Sequence, residues 1–240
     1  MSKTQNKPVK IITPKGPLQW IYITGWGKLK MEREENSKNR DDYEYTASIV
    51  LPAADAAPLI AAAKELYKER KDKTQKFKSW GFRPCLPNGR VKDEEGVPLD
   101  VKEEDATHFL FAFRTGLDYP KKGDEKAKPK TIGVFNSKGE NITARMGDTR
   151  IGHGSLGQLG GAMNYGSYGG SDFISWYLDN VKISKFEAFN ADSGFEADDA
   201  DDDGGWTGPE DDDGDGIAGD DGSGAVGGGT GGATAQPQLG

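Results

Sequence analysis

The fold is decided by residues 43–71, which read YEYTASIVLPAADAAPLIAAAKELYKERK. The first nine of these residues are rich in β-branched and aromatic side chains and stop at Pro52, so they predict a β-strand. The residues after the proline predict a helix that opens near Asp55 or Pro58 and ends near Lys71. Its apolar positions recur at helical spacing and are Leu59, Ala62, Ala63, Leu66 and Tyr67.

The rest of the body shows strands rather than further helices. Residues 152–170 are rich in Gly and Tyr, which is typical of bulged strands and turns. One helix among glycine-bent strands argues against a parallel sheet with alternating helices. We therefore predict a mainly β protein, an OB-like five-stranded barrel with one prominent helix. The other predicted strands are residues 20–30, 107–115, 131–136, 141–145 and 173–189, with residues 137–140 as a hairpin turn.

The last fifth of the chain has a different composition from the body. From residue 192 onward there is no Lys or Arg, and 14 of the 39 acidic residues lie within residues 192–221. The remaining 25 acids against 31 bases give residues 1–191 a net charge of +6, although the whole chain carries −8. We expect a flexible leader at residues 1–16, an OB-like domain at residues 17–191 and a disordered, acidic, Gly-rich tail at residues 192–240. A basic body joined to its own polyanion predicts binding to another polyanion, with the tail as competitor or docking peptide.

The absence of certain sequence features indicates the cellular compartment in which the protein is expected. Cys85 is the only cysteine, so no internal disulfide can form, which fits a reducing environment. No apolar run approaches the ~20 residues that span a bilayer. Residues 1–10 are polar and basic, with no apolar segment behind them that would indicate a secretory signal. We expect a cytoplasmic protein without a membrane partner.

The sequence motifs that usually indicate a catalytic, cofactor-binding or metal-binding site are incomplete in this chain. Residues 152–157, GHGSLG, match G-x-G-x-x-G, but residues 159–170 cannot form the helix that a dinucleotide site requires. An EF-hand-like run begins at Asp211, yet Gly222 stands where a bidentate Glu is needed. Two His and one Cys make no metal cluster, and no Ser/His/Asp set has a recognisable spacing. We therefore expect no enzyme, no catalytic residue, no cofactor and no metal.

Aromatic residues interleaved with basic residues form the strongest functional pattern, at residues 20–33 and 76–83. A protein that binds single-stranded nucleic acid needs this combination, because nucleobases stack on its aromatic rings while its cationic side chains follow the phosphates. The alternating residues Phe109, Phe111 and Phe113 are expected in the core instead, and core and contact weigh equally for Trp80 and Phe82. The predicted stacking residues are Tyr22, Trp26, Trp80 and Phe82, and the predicted phosphate contacts are Lys28, Lys30, Lys78, Arg83 and Arg114.

Several short segments follow one another in an order that is more informative than any one of them. These are residues 49–52 (IVLP) before the helix, residues 134–139 (VFNSKG), residues 151–155 (IGHGS), a Trp-bearing last strand at residues 176–189, and the acidic tail. This order resembles phage-encoded single-stranded DNA-binding proteins of the podovirus type, over about residues 18–221. In that family the glycine motif would be a turn into a strand.

The resemblance implies an OB fold and sequence-tolerant coating of single-stranded DNA in phage replication, recombination and repair. It also implies that the tail competes with DNA and docks phage replication proteins such as polymerase or helicase-primase. A homodimer is compatible with the sequence, and the location would be the host cytoplasm. The chain departs from the family at its end, because family tails usually finish in an aromatic residue and this one finishes in Leu239 and Gly240. Any apolar anchor would have to come from Phe195, Trp206 or Ile217.

Two other classes of function remain as alternatives. One is a virion or scaffold protein whose acidic tail is a solubilising spacer, which a flat apolar surface patch would favour. The other is a metal-dependent nucleic-acid enzyme, which an acidic pocket in the body would favour. The basic balance of the body and its aromatic–basic runs favour single-stranded DNA binding over both.

Overall fold

The structure is a computed structural model, and it describes residues 7–30, 33, 37–71, 75–93, 95–119, 127–147 and 149–189. The predicted tail at residues 192–240 lies outside the described residues, as do residues 1–6 of the predicted leader. The protein is mainly β, as predicted, with one prominent helix. The strands are β1 (Val9–Ile12), β2 (Gly16–Tyr22), β3 (Lys28–Leu29), β4 (Tyr43–Pro52), β5 (Lys76–Ser79), β6 (Phe82–Cys85), β7 (His108–Gly116), β8 (Gly133–Phe135), β9 (Leu156–Tyr168) and β10 (Ser171–Lys185), and the helices are α1 (Ala53–Arg70) and α2 (Thr143–Met146).

Five of the strands pair in a closed ring. β2 pairs with β4, β4 with β7, β7 with β10, β10 with β9, and β9 again with β2. The β4–β7 and β9–β10 ladders are long and antiparallel, whereas β7–β10 is parallel and joins only two residue pairs. The β2–β9 contact is equally short. The predicted OB-like five-stranded arrangement is therefore present, but as an irregular barrel. We call its two short pairings, β7–β10 and β2–β9, the weak seams of the barrel.

Strand alternation places the core on one face of β4 and β7. Along β7 the side chains of Phe109, Phe111 and Phe113 are buried, as the sequence predicts, and Ile49 and Leu51 of β4 meet them from the neighbouring strand. The residues between them point to the outer face, because successive side chains of a strand alternate. This outer face carries the grooves described below.

Helix α1 closes the core from the side. Pro52 ends β4, and Asp55 lies in the first turn, where a negative charge complements the helix dipole. The buried stripe consists of Ala56, Ile60, Ala63 and Leu66. Leu59 and Tyr67 of the predicted face pack only partly against the core, and Ala62 is exposed.

Several segments differ from the sequence-based prediction. Residues 20–30 are not one strand, because β2 ends at Tyr22 and β3 begins at Lys28, and β5 and β6 form where no strand is predicted. Within the expected leader, Val9–Ile12 forms β1 and pairs antiparallel with β9, because the long β9 leaves an edge that a short strand can occupy. The second arm of the expected hairpin is the short helix α2. The side chain of Asn141 accepts a hydrogen bond from the Thr143 amide at 3.0 Å, which caps a turn rather than extending a strand.

The glycine-rich stretch forms strand β9 and the turn before it. Residues 152–155 turn the chain into β9, with Gly154 at φ 91°, so the GHGSLG match is a turn and not a dinucleotide fingerprint. Further along, a Cβ at Gly161 would lie 1.8 Å from the Tyr177 carbonyl oxygen. Only glycine permits this approach of β9 to β10.

Candidate nucleic-acid interface

The outer face is shaped by an irregularity in β2. Gln19 pairs with Ser48 but Tyr22 pairs with Thr46, so three steps along β2 oppose two along β4. Trp20 lies in this bulge with φ 46°, and it is the one non-glycine residue with positive φ in the described part of the chain. A bulky residue in the left-handed region is strained, and bulges redirect side chains. The bulge therefore turns the aromatic residues of this segment toward the outer face.

The first groove, which we call the aromatic groove, has a volume of about 510 Å³ and is formed by residues 20–27 against the segment before β9. Its exposed rings are held by cations and by other rings. Lys28 Nζ lies 5.9 Å from the Tyr22 ring centroid, and the Trp26 ring packs edge-on against Tyr43 at 5.1 Å. The side chains that line it are Trp20, Ile21, Tyr22, Ile23, Thr24, Trp26, Thr149, Arg150, Ile151, His153 and Phe189.

The second groove, the cationic groove, has a volume of about 400 Å³ and runs over the outer face of β4 and β7. Its floor contains Thr46, Ser48 and Leu110, which are the residues that alternate with the core positions. Its rim carries Lys28, Lys30, Arg83 and Arg114. Glu44 and Trp20 complete the polar and aromatic lining.

The third groove, the distal groove, has a volume of about 370 Å³ and lies between β5, β7 and β10. It is lined by Lys78 and Arg114 on the basic side and by Phe173 and Tyr177 on the aromatic side. Tyr177 is 41% exposed, so its ring is available to a ligand.

The three grooves adjoin one another through shared lining residues, and we call them together the track. Trp20 lines both the aromatic and the cationic groove, and Arg114 lines both the cationic and the distal groove. Among the described residues that line the track, Glu44 is the single carboxylate. The cations along the track are Lys28, Lys30, Lys78, Arg83, Arg114 and Arg150.

Seven of the nine predicted contact residues line this track. The predicted stacking residues Tyr22 and Trp26 lie in the aromatic groove, 40% and 48% exposed respectively. All of the predicted phosphate contacts lie in the other two grooves, namely Lys28, Lys30, Arg83 and Arg114 in the cationic groove and Lys78, again with Arg114, in the distal groove.

Trp80 and Phe82 do not line the track. Phe82 is buried, and its ring packs against Phe111 at a centroid distance of 5.3 Å. Trp80 is half-buried, packs edge-on against Tyr67 of α1 at 5.3 Å, and its carbonyl accepts a 2.8 Å hydrogen bond from Trp176 Nε1. Both residues belong to the aromatic core beneath α1, so we leave them out of the proposed contact set.

The ion pairs of this region show which cations are already bound closely to a carboxylate and which are only loosely paired. The Arg40 guanidinium donates to both carboxylate oxygens of Asp118, and this hydrogen bonding raises the pKa of Arg40 above its ordinary value. Arg40 also lies 5.8 Å from the Trp26 ring centroid, so it fixes that ring rather than offering a free charge. Arg114 has only a loose partner, with Nη1 at 3.8 Å from Glu44 Oε1.

The aromatic and basic residues that line the track without being predicted contacts include Trp20, Arg150, Tyr177 and Phe189. Trp20 lies in the same aromatic–basic run as Tyr22, but its role depends on the bulge. Arg150 and Phe189 come from distant positions and meet through a cation–π contact of 5.6 Å. A Trp-bearing last strand was the one sequence signal near Tyr177, and it did not identify the exposed ring.

Other kinds of site find little support in the described part of the chain. No group of three or more His, Cys, Asp or Glu side chains there could hold a metal ion. Burial raises the pKa of the Cys85 thiol to about 11, so the thiol is neutral near pH 7 and a poor nucleophile. Within the same described residues, no helix combines the length and the apolar character that crossing a membrane requires.

Three solved structures are similar to this chain. One is gp2.5, a single-stranded DNA-binding protein encoded by bacteriophage T7, with 16% identity and a TM-score of 0.46 over 82% of this chain and 98% of that chain. The single-stranded DNA-binding protein of bacteriophage Enc34 is similar as a C-terminal truncation, with 12% identity and a TM-score of 0.45 over 75% of this chain and 88% of that chain. The same protein in complex with single-stranded DNA shows 12% identity and a TM-score of 0.45 over 79% and 97%. These are proteins of the kind that the sequence resembles. No protein-family model and no curated protein matches the chain.

Proposed function

We propose that this chain is a non-enzymatic protein that binds single-stranded DNA with little sequence preference. The observation that carries this proposal is the set of six cations and several exposed rings that line the three adjoining grooves. Such a track matches a flexible strand, since cations follow its backbone while rings receive its bases.

The placement of the rings favours single strands over duplexes. Tyr22, Trp26 and Tyr177 lie inside grooves and present their rings beside the cations. In a duplex the faces of the bases are stacked on one another and are not accessible to such rings. Only an unpaired strand can use both the rings and the cations, and each stacked base contributes about 1–3 kcal/mol.

We further propose that the acidic tail competes with DNA for the track. Phe189, the last described residue, lines the aromatic groove, and the acidic residues begin at Asp192. A polyanion tethered so close to the groove has a high effective concentration there. Roles in phage replication and recombination, docking of replication proteins through the tail, a homodimeric state and a cytoplasmic location belong to the same proposal and are supported by the resemblance alone.

The proposal is tested by titrating the full chain with fluorescent single-stranded and duplex oligonucleotides of mixed sequence at several salt concentrations. We expect tight single-strand binding, weaker duplex binding, and affinity that falls with salt by a slope of about 0.7 per phosphate contact. Equal affinity for both forms, or affinity that does not change with salt, would contradict the proposal.

The competition by the tail is tested by a stop after Ala191. We expect tighter binding to single-stranded DNA, with the largest gain at low salt, where the Debye length is ~30 Å at 0.01 M. A stop after Asp221 is the matched control, because it removes only residues 222–240 and keeps all 14 acidic residues of the tail. If both truncations change the affinity equally, the charge of the tail has no role in binding.

A further inference from the structure

The cationic groove contains one residue whose charge opposes the ligand. Glu44 lies on β4, and its side chain is only 19% exposed at the edge of the groove floor. Its backbone pairs with Lys28 of β3, and its carboxylate faces Arg114 of β7 at 3.8 Å. The carboxylate thus lies between two of the cations that are proposed to bind phosphates.

This position divides the groove into two chemical zones. The rim cations Lys28, Arg83 and Arg114 are exposed and can meet phosphate oxygens from above. A phosphate that descended to the floor would meet the Glu44 carboxylate and be repelled, since both groups are anionic. The backbone of a bound strand is therefore held at the rim, and a base is directed to the floor.

The floor then discriminates between bases, because an ionised carboxylate only accepts hydrogen bonds. Cytosine and adenine carry an exocyclic amino group that donates, whereas thymine carries the O4 acceptor at the equivalent position and offers a carboxylate only its N3–H, which lies between the O2 and O4 acceptors. Building on the proposed single-strand binding, we propose that Glu44 is a specificity-determining residue that favours amino-bearing bases over thymine in the cationic groove.

The test compares oligo(dC) and oligo(dT) of equal length with the full chain at mildly alkaline pH. Wild type is expected to bind oligo(dC) more tightly by about threefold or more, a modest fraction of what a bidentate base contact gives. In Glu44→Gln the amide both donates and accepts, so the ratio should fall close to one while the affinity for oligo(dT) rises. Glu104→Gln is the matched control, since it removes the same charge from an exposed residue outside the grooves and should keep the wild-type ratio.

A second arm alters the ligand and leaves the protein unchanged, so it does not depend on the folding of a variant. An oligonucleotide of 2-pyrimidinone deoxynucleotides lacks the amino group of cytosine but keeps its size and stacking face. Wild type should bind it no better than oligo(dT).

The inference is overturned if wild type binds the three oligonucleotides equally, or if Glu44→Gln raises all affinities by the same factor. Either result would leave single-strand binding intact. A full chain that binds none of the oligonucleotides would overturn the proposed function and this inference together.

Discussion

Residues 20–30 and residues 76–83 look alike in the sequence, since both mix aromatic residues with basic residues. In the fold, however, their aromatic side chains lie in different environments. The first run places Tyr22 and Trp26 in the aromatic groove. In the second run, Trp80 and Phe82 turn away from the track and join the aromatic core beneath α1, while the cations Lys78 and Arg83 stay on the track. Interleaving alone therefore does not distinguish a stacking residue from a core residue.

The difference arises from what each run packs against. The second run faces helix α1, where Tyr67 contacts Phe77 at 4.8 Å and Trp80 at 5.3 Å. Phe77 remains 37% exposed, whereas Trp80 is half-buried and Phe82 is buried against the core. The first run has a bulge at Trp20 instead, and its next element β3 is only two residues long. In the described part of the chain, Tyr22 and Trp26 of the first run remain 40% and 48% exposed.

The variant Phe82→Ala tests this difference with the largest expected effect. Phe82 is buried among Phe109 and Phe111, so we expect a loss of about 3–5 kcal/mol in the free energy of unfolding. The measurement is chemical denaturation followed by circular dichroism. A variant with wild-type stability and weakened DNA binding would instead place Phe82 among the contacts.

Trp26→Ala should have the opposite signature. The ring is 48% exposed in the aromatic groove, so we expect a loss of about 1–3 kcal/mol in binding of single-stranded DNA with little change in melting temperature. Tyr168→Ala is a suitable control, because Tyr168 is 84% exposed and lies outside the three grooves. If Trp26→Ala melts as early as Phe82→Ala, the two runs do not differ in the way described.

The smallest expected effect concerns the cations, which both runs contribute to the track. Replacing Arg83 by Gln should reduce the salt slope of single-strand binding by about 0.7, as one phosphate contact is lost. Lys28→Gln should do the same from the first run. Lys138→Gln, in the exposed turn after β8, should leave the slope unchanged. A normal slope in Arg83→Gln would remove Arg83 from the interface and leave Lys78 as the cation that the second run contributes.

The sequence predicts those features that depend on local pattern. Pro52 marks the end of β4, helical spacing identifies α1, and alternation assigns Phe109 and Phe111 to the core. The single helix among glycine-bent strands predicts a mainly β body, and the net charge of residues 1–191 predicts a basic binding surface. These features are recoverable because each is encoded within a few neighbouring residues.

Other features depend on contacts between distant residues and could not be predicted in the same way. The left-handed conformation of Trp20 reflects a mismatch of register between β2 and β4. Phe189 and Arg150 reach the aromatic groove only through the path of β9 and β10. The short helix α2 lies where a strand is expected, and its first residue Thr143 donates its amide hydrogen to the side chain of Asn141 in a local turn.

The two weak seams of the barrel have a consequence for its biosynthesis. Both involve the last strands, and the hydrogen bond from the Leu159 amide to Thr13 Oγ1 joins residues 146 positions apart. At ~5–20 residues per second, β2 would wait on the order of ten seconds for β9 to be translated, and such non-local pairing is slow in itself. The apolar face of β4 is covered only in part, by α1, during that interval, which exposes the nascent chain to aggregation. The three grooves are complete only after β10 is in place, so the proposed binding of nucleic acid along all of them requires that synthesis of the body is nearly finished.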